Sequence, residues 1–122
     1  MADPRLSELT TRILAFRDAR DWRQFHTPKD VALSLNLEAS EVLEWMQWRQ
    51  GDDLTRHLEA NRDAVGEELA DVLYWTLLLA HDLGIDLGDA FARKMEKNGA
   101  KYPVEKAHGS HRKYTEIDPE AP

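Results

Sequence analysis

Apolar residues recur every three or four positions along most of the chain, and no stretch alternates apolar with polar over strand length. That is the pattern of amphipathic helices, so the sequence predicts an all-α fold of four to five helices. The first is expected to open at Asp3-Pro4, with Asp3 as N-cap and Pro4 in the first helical position, and to carry Leu6, Leu9, Ile13, Leu14 and Phe16 on its apolar side. The mixed stretch RDWRQFHTP reads as a loop. Thr27-Pro28 repeats the cap-then-proline signal and starts a second helix, through VALSLNLEASEVLEWMQW to near Gly51. The polar GDDLTRHLEANRD reads as a loop with a short helical turn. In AVGEELADVLYWTLLLAHDLG, Leu69, Val72, Leu73, Trp75, Thr76, Leu77 and Leu79 cover nearly every side of a helix, which is expected to be buried all round. Gly84 then suits a C′ position, Asp86 the next N-cap, and LGDAFARKMEKN a further helix ending at Asn98-Gly99. The expected division is a helical domain over residues 1–102 and, from Pro103 with Pro119 and Pro122, an extended or disordered tail over 103–122.

Two helices carry the same acidic signature. Glu38-x-x-Glu41-x-x-x-Trp45 matches Glu68-x-x-Asp71-x-x-x-Trp75 in spacing and kind. Residues three apart on a helix are surface neighbours, so each pair sets two like charges side by side. A lone pair of this kind is ordinarily a solvated acidic face. The second pair resists that reading, because Glu67, Glu68 and Asp71 are the only charged side chains between Asp63 and Asp82 and no Lys or Arg lies in that segment. If the two helices pack antiparallel, the four acids meet while the tryptophans diverge. Four carboxylates without Cys or imidazole make an all-oxygen site, suited to Mg²⁺ or Mn²⁺ over zinc or copper. Ferritin-like di-iron bundles require Glu-x-x-His, whereas here the i+3 positions are Glu41 and Asp71 and His81 lies well beyond them.

Composition narrows the ligand. The 122 residues suffice for one modest core, and 16 Lys plus Arg against 23 Asp plus Glu give a net charge of -7. No broad positive field is available for a nucleic-acid polymer, although a small anion can bind through a metal. The absence of cysteine excludes disulfides and thiolate chemistry, and no apolar stretch approaches the length of a membrane span. The expectation is a cytoplasmic protein without a membrane partner. Mg²⁺ commonly shares its shell with substrate phosphates, which makes phosphate the first ligand to consider. Lys94, Asn98 and Lys101 fall at i, i+4 and i+7 on one stripe, suited to phosphate oxygens or simply to the negative end of the helix dipole. Of the four tryptophans, Trp45, Trp48 and Trp75 share helices with the acids and are placed either in the core or against a nucleobase. Phe25 and His26 beside Trp22 extend the same choice to the loop.

At this point the chain resembles the all-α nucleoside triphosphate pyrophosphohydrolases of the MazG-like superfamily, and within them the dCTP pyrophosphatase branch. The resemblance spans about Leu6 to Ile117 and is carried by RDWRQFHTP, EASEVLEWMQW, EELADVLYW, KMEKNGAKYP and RKYTEI in order. It implies that Glu38, Glu41, Glu68 and Asp71 are catalytic residues that bind Mg²⁺. It also places Trp22, His26, Trp48 and Trp75 in the nucleoside pocket, and closes Asn98, Lys101 and Tyr102 over base or phosphates. Many superfamily members carry an extra Glu just before the first pair. Here that position is Leu37, as in the dCTP branch, which leaves the general base open between Glu41 and Glu44. The implied reaction cleaves a nucleoside triphosphate, dCTP or a modified dCTP, between its α and β phosphates to the monophosphate and pyrophosphate.

An all-round apolar helix in so short a chain calls for symmetric self-association, and the resemblance implies a tetramer built as a dimer of dimers, with a dimer as the smaller option. Two other readings predict no turnover: a helical interaction protein whose acids are a solvated face, and a nucleotide sensor that binds without product.

Overall fold

The computed structural model describes residues 4–117, so the expected N-cap at Asp3 lies outside them. The described residues form seven α-helices and one 3₁₀ turn, with no strand among them. Contacts divide the chain at Ile85/Asp86, upstream of the expected boundary at 102/103.

In the first unit, α1 (Pro4–Ala19) is followed by a 3₁₀ turn (Arg23–Phe25), α2 (Pro28–Glu44), α3 (Gly51–Ala60) and α4 (Arg62–Asp82). α4 is the hub against which α1, α2 and α3 all pack. α2 starts where the sequence placed it: Thr27 is extended, its Oγ1 accepts the Asp30 N–H at 3.2 Å, and Pro28 takes the first turn, where its missing donor costs nothing. It ends earlier than expected, at Glu44. The Met46 N–H bonds to the Leu43 carbonyl at 2.9 Å, and Trp48 takes a left-handed φ of 68°, which turns the chain out of the helix. The segment expected as a loop is the ten-residue helix α3, with Asp52 and Asp53 in its first turn and half-buried Leu54 and Leu58 four apart. Asn61 separates α3 from α4, its Nδ2 donating to the His57 carbonyl at 2.8 Å.

α4 is not buried all round. Within the unit only its last third reaches the core, at Leu77, Leu78 and Ala80, joined by Val31 of α2. Leu69 and Leu73 stay exposed, as do Leu33, Leu37 and Leu43 on α2. The end of α4 follows its sequence signal. Gly84 at φ 68° sends its N–H to the His81 carbonyl at 3.0 Å, and the Ile85 N–H reaches the Ala80 carbonyl at 2.8 Å. These are the paired bonds of a Schellman end, and the left-handed φ is one that glycine adopts without a Cβ penalty.

In the second unit, Asp86 caps α5 (Leu87–Lys101) by accepting the Asp89 N–H at 3.1 Å. α5 continues through Gly99 and stops only ahead of Pro103, which has no N–H to extend it. The stretch expected as an extended tail holds two one-turn helices, α6 (Val104–Ala107) and α7 (Tyr114–Ile117). Tyr114 meets Tyr102 edge-on at 5.9 Å, and the Lys101 Nζ lies 4.8 Å from the Tyr114 ring centre. No helix among the described residues is long and apolar enough to cross a membrane.

Candidate functional site

α2 and α4 run antiparallel at their contact: Glu38 faces Asp71 and Trp75, while Glu41 faces Glu68. This crossing gathers one carboxylate oxygen each from Glu38, Glu41 and Glu68 within 4.8 Å of one another. Asp71 is exposed and stands outside that triad, yet its charge acts on both Glu38 and Glu68.

The cluster is electrostatically incomplete. Glu68 is pushed up to about 7, first by the hydrogen bond it forms with Glu41 once a proton is shared, then by burial and by the charges of Glu41, Glu38 and Asp71. Glu38 is raised by burial, then by Glu41 and Asp71, with Trp75 acting in the opposite direction. One oxygen of each, Glu38 Oε2 and Glu68 Oε2, is buried without a hydrogen-bond partner. Such orphaned acceptors carry a desolvation cost that a cation removes. Orphaned oxygens, an all-carboxylate donor set and mutual repulsion together fit a hard divalent ion.

Two hollows flank the acids. One, of about 580 Å³, has Glu38 and Asp71 on its wall together with Phe16, Trp22, Tyr74 and Trp75. Its aromatic rings form a chain of edge-on contacts: Trp22 to Phe16 at 5.7 Å, Phe16 to Tyr74 at 6.2 Å, and Tyr74 to Trp75 at 4.9 Å. His26 ends the chain, edge-on to Trp75 at 5.5 Å, and burial followed by the Arg17 charge lowers its pKa. The other hollow, of about 560 Å³, is lined by Glu41, Glu44, Trp45, Arg49, His57 and Glu68. The tryptophans thus diverge to either side of the acids, as the antiparallel packing requires.

Trp22 and Trp75 stand in the first hollow with the acids. Trp48 does not share a helical stripe with them: it lies beyond the end of α2, is 93% exposed, and lines neither hollow. Lys94, Asn98, Lys101 and Tyr102 belong to the second unit, where Lys94 is exposed and Asn98 and Lys101 are half-buried. Sequence reasoning missed Tyr74 as a wall of the cavity and Arg12 beside it. It also missed Arg17 and Asp82, whose guanidinium and carboxylate pair at 2.8 and 3.0 Å with almost no solvent contact. Pairing across 65 residues leaves no spacing signal.

The profile of the MazG-like family matches residues 33–117. The human protein named dCTP pyrophosphatase 1 is 36% identical over 117 residues, covering 94% of this chain and 69% of its own length. Its bovine counterpart is 34% identical over 118 residues, with 95% and 70% covered. A pyrophosphatase of Archaeoglobus fulgidus with a solved crystal structure superposes with a TM-score of 0.78 at 40% identity, covering 84% of this chain and 96% of that one.

Proposed function

The chain belongs to the MazG-like family, and from that premise we propose that it hydrolyses a nucleoside triphosphate, dCTP or a modified dCTP, to the monophosphate and pyrophosphate, in the service of nucleotide-pool sanitation. The observation that carries the proposal is the meeting of Glu38, Glu41 and Glu68 beside an aromatic-walled cavity of a size suited to a nucleoside.

Glu38, Glu41, Glu68 and Asp71 would hold Mg²⁺, or Mn²⁺ in its place. The bound ion would supply positive charge for the phosphates and lower the pKa of the attacking water. The rest falls to the chain's own residues. Trp22 and Trp75 present rings on which a base stacks, and Phe16 and Tyr74 exclude water around it. His26, its pKa lowered by burial, meets Trp75 edge-on and braces that ring where the base would stack. As water adds to the α-phosphorus and the bond to the bridging oxygen breaks, a carboxylate must take the water's proton. Glu41 and Glu44 share the hollow on that side, and Glu44, outside the triad, keeps its lone pairs for the task. Trp48, Lys94, Asn98, Lys101 and Tyr102 are proposed as further substrate contacts on the strength of their motif positions. Exposed Leu33, Leu37, Leu43, Leu69 and Leu73 support symmetric self-association, as a dimer or tetramer.

The test is incubation with each canonical NTP and dNTP, in Mg²⁺ and in EDTA, with separation of the products. Monophosphate plus pyrophosphate with dCTP favoured, abolished by EDTA, is expected. Diphosphate plus orthophosphate would overturn the bond assignment, and no product from any nucleotide would favour a sensor or an interaction protein.

A further inference from the structure

The most deeply buried charged group in the first unit takes no part in the site just described. Arg17 is 1% exposed and the Asp82 side chain 6%. Arg17 Nη1 and Nη2 donate to Asp82 Oδ2 and Oδ1 at 2.8 and 3.0 Å, and Arg23 Nη1 donates to Oδ1 at 3.1 Å. Arg17 stands in the last turn of α1 and Arg23 opens the 3₁₀ turn, so the two arginines bracket Trp22, the residue of this connection that lines the cavity. The Arg17 carbonyl accepts the N–H groups of Arg20 and Trp22, both at 3.2 Å, across a left-handed Asp21 at φ 54°. The Phe25 N–H then returns to the Trp22 carbonyl at 2.9 Å and the His26 N–H to the Arg23 carbonyl at 3.0 Å. Trp22 therefore hangs on the backbone of one arginine and His26 on the backbone of the other. Both guanidinium groups close on a single carboxylate at the end of α4, the helix that also carries Tyr74 and Trp75.

We propose that Asp82 is a positioning residue for the base site: through Arg17 and Arg23 it fixes the Trp22–His26 turn against α4 and so sets the spacing between Trp22, His26 and Trp75. Asp82 itself lines neither hollow. Its short side chain offers two oxygens, one bonded to Arg17 alone and one shared by both arginines, so the two anchor points of the turn cannot drift independently. The inference rests on reading the aromatic cavity as the site of the base.

A pair that only joined α1 to α4 would not need Arg23, whose side chain is 60% exposed. Arg23→Gln therefore separates the two roles: it leaves the buried Arg17–Asp82 bond in place and frees the turn. The expected result is a KM for dCTP raised about tenfold with kcat within about twofold, since the lost spacing weakens ground state and transition state alike. Tm should stay within about 2 °C of wild type, as befits a surface ion pair. Arg23→Lys, which keeps a charged donor, is expected to recover most of the affinity. In the nucleotide-free protein, the NMR shifts of the His26 ring protons, set by the neighbouring Trp75 ring, should move toward those of a free histidine in Arg23→Gln and stay in place in Arg23→Lys. Unchanged KM and unchanged His26 shifts in Arg23→Gln would overturn the inference, as would Arg23→Lys behaving no better than Gln. If the wild type turned over no nucleotide, the proposed function would fail while the NMR comparison still decided the role of Asp82.

Discussion

The two ends of α4 treat a carboxylate in opposite ways. In its second turn, Glu68 feels the charges of Glu41, Glu38 and Asp71, keeps a buried oxygen without a partner and is pushed up to about 7. At its last residue, Asp82 is also raised by burial, but the Arg17 hydrogen bond and the charges of Arg17, Arg23 and His81 outweigh that and hold it below the ordinary aspartate value. Helix and residue class are the same, so the difference lies in what faces each group. A buried charge with its partners in place costs the fold little until one partner is removed, whereas a cluster of unsatisfied like charges lowers stability and is kept for what it binds.

Neutralising a member of each cluster should have opposite consequences. Glu68→Gln is expected to lower turnover by about 10²–10³-fold, the scale of losing one preorganised electrostatic contact. Its metal-free Tm should rise, because a repelling charge has gone; a fall in Tm with activity intact would break the comparison. Arg17→Met, by contrast, leaves Asp82 buried beside Arg23 alone and should cost about 3–5 kcal/mol in urea unfolding. Replacing both partners together, Arg17→Met with Asp82→Leu, should cost much less than that.

Acid titration sharpens the same contrast. Asp82 has a folded pKa below its unfolded value of 3.8, so the unfolded chain takes up its proton first as pH falls. Its contribution is full above 3.8 and is lost as pH drops through the lower folded value. Stability measured against pH in wild type and in Asp82→Asn should therefore converge at the acid end; parallel curves would contradict the assignment. The smallest effect expected is that of Thr27→Ala, about 1 kcal/mol from the lost cap of α2, with no change in metal binding.

What the sequence disclosed and what it hid follow from the range of the forces involved. Thr27-Pro28, Gly84 and Asp86 act on backbone groups within a turn of themselves, and each stands where its chemistry placed it. Of the four acids expected to meet, Glu38, Glu41 and Glu68 do so where the two helices cross antiparallel, while Asp71 stays exposed outside the triad. α3 was hidden by its thin apolar stripe, in which the half-buried leucines are Leu54 and Leu58, so that its polar composition resembled a loop. Trp48 continues the helical pattern of α2 in sequence, but the backbone turns left-handed there and takes the side chain off the stripe. The one-turn helices after Pro103 have too few residues for any periodicity; the rings of Tyr102 and Tyr114 provide the packing. The Arg17–Asp82–Arg23 contact depends on tertiary closure and leaves no trace in local spacing.

A divalent cation held at the like-charged crossing of α2 and α4 is open to direct measurement. Calorimetric titration of Mg²⁺ and Mn²⁺ into the nucleotide-free wild type and Glu68→Gln proteins tests it without depending on turnover. Saturable binding to the wild type, weakened at least about tenfold in the variant, is the predicted result. Equal binding by both proteins, or heat from neither, would contradict it.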